Sequence, residues 1–197
     1  MPERIAAIVL AAGESRRMGR PKLLLQHAGE TLLARALRIT APVTSSTTVV
    51  VGAYAERYTP EARRLGAAVV YNPDWPQGMA SSLVVGLDAL SAEVSATLIV
   101  LPDQPFVTTD HLQNLLDTHH ATGTPLVVSR YADSDVTGAP VLLHRSLFDA
   151  ARRLSGDRGA KHLARHAPTA EVVLDNPKDI DTPADVAQLD VSKSSLD

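Results

Sequence analysis

The stretch Ile8-Val9-Leu10-Ala11-Ala12-Gly13-Glu14-Ser15-Arg16-Arg17-Met18-Gly19-Arg20-Pro21-Lys22-Leu23-Leu24 passes from an apolar run into small residues and then into a cluster of cations. Ala11, Ala12 and Gly13 let the backbone approach a ligand without side-chain interference, and the amides of such a turn can point at phosphate oxygens. Arg16, Arg17, Arg20 and Lys22 add positive charge beside them. The combination points to a loop for a nucleoside triphosphate. A plainer reading of the same residues is a strand end followed by a flexible basic loop. Two familiar phosphate-loop templates do not fit. Gly13 and Gly19 do not make Gly-x-Gly-x-x-Gly, and Lys22 stands between Pro21 and Leu23 rather than in a Gly-Lys-Ser/Thr ending. A nicotinamide dehydrogenase and a P-loop NTPase are therefore disfavoured.

Outward from this loop, short β-branched apolar runs at 5–10, 47–51, 68–71, 97–101 and 126–129 predict buried strands. Helical-period segments at 31–40, 55–65, 79–90, 109–122, 146–154, 160–165 and 184–189 lie between and after them. That alternation predicts an α/β fold with a mainly parallel sheet flanked by helices. After Ser129 the pattern loosens, and strands at 139–143 and 171–174 suggest a mixed sheet with an antiparallel addition.

A chain of 197 residues, 45% of them hydrophobic, suits one substantial core, so 1–190 reads as a single domain and the serine- and charge-rich 191–197 as a flexible tail. The net charge of −3 gives no broad basic field, so neither nucleic acid nor a membrane surface is expected as a partner. With no cysteine there is no disulfide, thiolate metal site or cysteine nucleophile. Met1-Pro2-Glu3-Arg4 leads straight into a strand without the pattern of a signal peptide, and no apolar run nears the roughly 20 residues of a membrane span. A cytoplasmic location is the expectation.

In open α/β sheets ligands sit beyond the carboxyl ends of strands. Asp103, in Leu101-Pro102-Asp103-Gln104-Pro105, directly follows an apolar run and so stands where a magnesium ligand belongs. Mg²⁺ prefers oxygen donors and is commonly held by one or two carboxylates plus substrate phosphates. The alternative is that Asp103 only caps a turn between two prolines. Asn72-Pro73-Asp74-Trp75-Pro76-Gln77-Gly78-Met79-Ala80-Ser81-Ser82 is a turn-rich entry to a helix. There Gly78 allows close approach, and Ser81 and Ser82 offer hydroxyls near a helix N-terminus, or simply cap it. Trp75 is read as partly buried packing rather than a stacking platform. In Asp179-Ile180-Asp181-Thr182-Pro183, Asp181 or Thr182 reads as a helix cap on the local pattern alone. His162 with His166, and His119 with His120, lack a third ligand and read as surface histidines. Ser15 has no histidine base tied to it.

These motifs, in this order, resemble the MobA-like nucleotidyltransferases, and the Leu-Ala-Ala-Gly and Asp-Gln-Pro forms are most similar to the molybdenum-cofactor cytidylyltransferase branch. Pro102 departs from the small residue the family often has there. The resemblance implies a Rossmann-like nucleotide-diphospho-sugar transferase fold and transfer of CMP from CTP to the terminal phosphate of the molybdopterin cofactor, with Mg²⁺ required. It implies that Asp103 and Asp181 hold the metal, and that Arg17, Lys22 and Asp103 carry the chemistry. Leu10, Ala11, Ala12, Gly13, Gly78 and Ser82 would border the nucleotide, and Arg158 and Lys161 would meet the anionic acceptor. It also implies transient contact with a molybdenum hydroxylase or its chaperone. Ala12, where related guanylyltransferases tend to have glycine, would favour the smaller base. Guanylyl transfer, transfer to a sugar phosphate or methylerythritol phosphate, and a silent nucleotide- or pterin-binding carrier are the competing readings.

Overall fold

The computed structural model describes residues 3–132, 134–182 and 184–186. The expected tail at 191–197 and most of the expected helix at 184–189 lie outside these residues. Nine strands occur among the described residues: β1 (Ile5–Ala11), β2 (Gln26–His27), β3 (Glu30–Thr31), β4 (Ser46–Val51), β5 (Ala68–Tyr71), β6 (Ala96–Val100), β7 (Leu126–Tyr131), β8 (Thr137–His144) and β9 (Thr169–Leu174). The α-helices are α1 (Leu32–Thr40), α2 (Ala55–Arg64), α3 (Met79–Asp88), α4 (Thr109–Thr122) and α5 (Phe148–Arg152). Seven strands form one sheet in the order β5-β4-β1-β6-β8-β7-β9.

The strand β1 lies centrally because nearly every residue in it is apolar and buried. Such a strand needs cover on both faces, which only helices on both sides of a sheet supply. It pairs in parallel with β4 and β6. Alternate residues then feed two cores. Val9, Val49 and Leu98 pack with Leu33, Leu37, Tyr58 and Leu115 from α1, α2 and α4. Ile8, Val50 and Ile99 pack with Leu83, Leu87, Phe148 and Ala151 from α3 and α5. The result is the mainly parallel, helix-flanked sheet that the alternating pattern predicts. The antiparallel strand is β8, and it sits inside the sheet between β6 and β7 rather than on an edge.

Two local readings need correction. The segment 146–154 is a 3₁₀ turn, Arg145–Leu147, followed by the short α5, and 160–165 is a 3₁₀ helix. The ribbon β2–β3 was not foreseen. Its turn uses Ala28 and Gly29, both at positive φ, a geometry that an Asn-Gly pair would have signalled and Ala-Gly does not. Thr31 then caps α1, its side chain accepting from the Ala34 amide at 3.0 Å.

Candidate active site

The loops after β1, β5 and β6 leave the sheet at its carboxyl edge and, with Asp157 and Asp181, line a cavity of about 480 Å³. That volume suits a nucleotide-sized ligand. Leu10, Ala11, Ala12, Gly13, Arg17, Lys22, Gly78, Ser82, Asp103 and Asp181 all line it.

Its charged end is built by four side chains that the sequence spreads from Arg17 to Asp181. The Lys22 ammonium donates to Asp103 Oδ2 at 2.6 Å and to Asp181 Oδ1 at 2.9 Å, while the Arg17 guanidinium reaches Asp181 Oδ2 at 2.7 Å. Burial works against the Lys22 charge, but Asp103 and then Asp181 more than offset it and hold the ammonium above its ordinary pKa. Asp103 Oδ1 is buried with no hydrogen-bond partner. A buried carboxylate oxygen without a donor is costly unless a further cation meets it, so the donor set fits a hard divalent ion shared with phosphate oxygens. Among the described residues no cluster of three or more His, Asp or Glu side chains is placed to hold a metal, so substrate oxygens would have to complete the shell.

The second acid is fastened to the first through the backbone. The Ile180 amide donates to the Asp103 carbonyl at 2.9 Å, and the Ile180 side chain is fully buried with Leu32 against Leu25 and Phe106. Asp185 accepts from the Thr182 amide at 2.8 Å and donates its own amide to Thr182 Oγ1 at 3.4 Å. This reciprocal cap is made by Thr182 and Asp185, which leaves the Asp181 carboxylate to face Lys22 and Arg17. Asp179 is exposed as a residue, yet desolvation of its carboxyl and the negative Asp103 push its pKa up to about 6.

The neutral end, lined by Gly78 and Ser82, is built from small and hydroxyl residues, with Asp157 against Gly78 and Arg16 near Asp157. Gly78 has φ +104°, and a Cβ there would lie 2.5 Å from the Gly156 carbonyl carbon, so only glycine joins these two loops. At Gly52 an added Cβ would meet the Ala12 carbonyl oxygen at 2.6 Å and Trp75 Cβ at 2.8 Å. This position, which the sequence reading passed over, lets the β4 loop close against the β1 loop, where the Ala53 amide donates to Ala12 at 3.0 Å. Trp75 is half-buried and packs on the α3-side core, but it also lines the cavity, which the packing reading did not include.

Other expectations shift. Arg158 and Lys161 do not line the cavity; Arg158 is exposed, and Lys161 Nζ donates to the Thr137 carbonyl at 2.9 Å, tying its 3₁₀ helix to β8. The residue of that loop that does line it is Asp157. Glu14 and Arg16, paired at 2.7 Å, join it there. His119 is buried rather than a surface residue, with Nδ1 held 2.7 Å from the Thr124 carbonyl.

A model of the MobA-like NTP transferase domain matches residues 7–172. The chain belongs to that family. This MobA-like protein is also 34% identical over 140 residues to the bifunctional protein GlmU of Bifidobacterium animalis subsp. lactis, a match covering 68% of this chain and 30% of that one. It thus spans about a third of the length of that relative. Its fold matches the crystal structure of Rv0371c from Mycobacterium tuberculosis H37Rv with a TM-score of 0.82 and 31% identity, covering 96% of this chain and 98% of the other. The manganese complex of that mycobacterial protein matches with a TM-score of 0.78 and 31% identity, over 94% of this chain and 97% of the other. The chain thus carries a MobA-like NTP transferase domain with a nucleotide-diphospho-sugar transferase fold. Among the described residues no helix is long and apolar enough to cross a membrane.

Proposed function

We propose that this nucleotidyltransferase moves CMP from CTP to the terminal phosphate of the molybdopterin cofactor and releases pyrophosphate, with Mg²⁺ as the metal. The observation that carries the reading is the Lys22 ammonium lying between Asp103 and Asp181 in one cavity, beside an unpartnered Asp103 oxygen. Two carboxylates and two cations in contact are matched to a ligand that brings both charges, a triphosphate and its divalent ion. When bound, that ion would supply positive charge to offset the negative charge of the triphosphate.

The protein's own side chains then divide the work. An oxygen of the acceptor phosphate forms a bond to the α-phosphorus of CTP as the bond to the β-phosphate oxygen breaks, and the electron pair leaves with pyrophosphate. A phosphate monoester is already largely dianionic near neutral pH, its second pKa being about 6, so no general base is needed. Lys22 and Arg17 turn from the carboxylates to the departing phosphates and neutralise their growing charge. Asp103 and Asp181 would hold the ion. Ala12, buried in the cavity wall, narrows the space for the base. The choice of CTP and of the molybdopterin acceptor rests on the resemblance of Leu10-Ala11-Ala12-Gly13 and Asp103-Gln104-Pro105, and hand-over to a molybdenum hydroxylase or its chaperone would follow.

Thermal unfolding with CTP or GTP, each with and without Mg²⁺, tests the reading without the unstable pterin. At 100 times the dissociation constant a ligand adds about 2.7 kcal/mol, a rise of roughly 5 to 10 °C for a chain of this size. A rise with CTP that needs Mg²⁺ is the expected result, to be followed by pyrophosphate release with molybdopterin. A rise with GTP alone moves the assignment to guanylyl transfer, and no rise with either removes it.

A further inference from the structure

At the neutral end of the cavity the polar side chains are wired in one direction. Asn72, just after β5, is fully buried. Its Oδ1 accepts from the Asp74 amide at 2.9 Å, so its NH₂ must face the other way; a flipped amide would set donor against donor. Both NH₂ hydrogens are used, one to Ser81 Oγ at 2.9 Å and one to Ser82 Oγ at 3.0 Å. The Ser81 hydroxyl in turn shares its one hydrogen between the carbonyls of Asp74 and Gly78, each at 2.9 Å, and is complete. Ser82 differs. It accepts from Asn72, lines the cavity, and its hydroxyl hydrogen has no acceptor among the described residues.

We propose that Asn72 is a specificity-determining positioning residue, which by occupying one lone pair of Ser82 turns the hydroxyl hydrogen toward the base. The inference rests on the reading that a nucleoside triphosphate binds with its phosphates at the charged end. A base that presents a carbonyl or ring-nitrogen acceptor there completes Ser82. A base that presents an N–H leaves a buried hydroxyl hydrogen unmatched, which costs more than a hydrogen bond gains. On its pairing edge cytosine carries two adjacent acceptors, N3 and O2, beside one donor, the 4-amino group, whereas guanine carries one acceptor, O6, beside two adjacent donors, N1–H and the 2-amino group, so a donor hydroxyl finds more partners on cytosine. The polarity of this one hydroxyl thus favours the pyrimidine.

Asn72→Asp reverses the polarity. The carboxylate still accepts from the Asp74 amide, so the turn is kept, but it now takes the Ser82 hydrogen and turns the lone pairs to the cavity. CTP and GTP are titrated with Mg²⁺ at pH 8 onto the full-length wild type, Asn72→Asp, Ser82→Ala and the double variant. The ratio of CTP to GTP affinity is expected to fall about five- to tenfold in Asn72→Asp. Repulsion between the new charge and the triphosphate acts on both nucleotides and cancels in the ratio. In the Ser82→Ala background the same substitution is expected to change the ratio by less than about twofold, because Asn72 acts through Ser82. Asn72→Ala, which removes the donor and adds no charge, must lower the ratio too, and it stands in if Asn72→Asp does not fold. An unchanged ratio, or an equal change in both backgrounds, overturns the inference while leaving nucleotide binding intact. A wild type that binds neither nucleotide, or prefers GTP, overturns it together with the reading on which it rests.

Discussion

At one end of the cavity Arg17, Lys22, Asp103 and Asp181 are joined by contacts of 2.6 to 2.9 Å, and at the other Asn72 is joined to Ser81 and Ser82 at 2.9 and 3.0 Å. The distances are alike and the consequences differ. Each ion pair can exchange its partner for another of the same sign: a metal for an ammonium, a phosphate for a carboxylate. The amide and hydroxyl network has a fixed donor order and cannot be re-partnered without leaving a buried group unmatched. The charged end is therefore built to change when substrate arrives, and the neutral end to stay as it is and choose.

The hardest test of this contrast is Asp103→Ala, which removes a carboxylate from the exchanging set. Turnover with Mg²⁺ is expected to fall more than about 100-fold, and Mn²⁺ binding, followed by the electron spin resonance of the free ion, to be lost with it. Retained turnover would take Asp103 out of the metal site. Lys22→Met sharpens the contrast, because its two effects run in opposite directions. Without the ammonium on both carboxylates, Mn²⁺ should bind the nucleotide-free protein about tenfold more tightly. Turnover should nonetheless drop by about 100-fold, since the departing pyrophosphate loses a cation. If Mn²⁺ affinity is unchanged, the ammonium does not compete for that place. The smallest change is expected at the neutral end. Gly78→Ala forces a side chain into positive φ and against Gly156, at a cost of about 1 to 3 kcal/mol, or roughly 2 to 10 °C in Tm. Mn²⁺ affinity should not move, and a parallel loss of metal binding would mean that the two ends are not independent.

The same contrast explains what could be read from the sequence. The central sheet was legible because β1, β4 and β6 are short runs rich in apolar and β-branched residues. Asp103 was legible from its place after such a run. Asp181 was not separable from a cap by local pattern, and Thr182 and Asp185 turn out to share the cap. At the neutral end the wiring escaped notice, since Asn72 reads as a turn residue and its two serine partners lie nine and ten positions away. Arg158 and Lys161 were named for the anionic acceptor only through the resemblance of their loop. The direction of a loop side chain is set by tertiary contacts, and these bring Asp157 to the cavity instead. The interior place of β8 was likewise hidden, because strand order depends on pairing and not on the run itself.

Every strand of the sheet ends by Leu174, whereas Asp181 is supplied by a segment beyond the sheet, fastened by the Ile180 plug and its bond to the Asp103 carbonyl. Integrity of the fold and competence of the site are thus separable properties of this chain. A protease cut between Leu174 and Ile180 would leave all seven paired strands intact and carry away half of the acid pair. A preparation could then keep its spectrum, its size and much of its melting behaviour while its specific activity decays, so that ageing of this protein is better followed by its grip on a metal than by its fold.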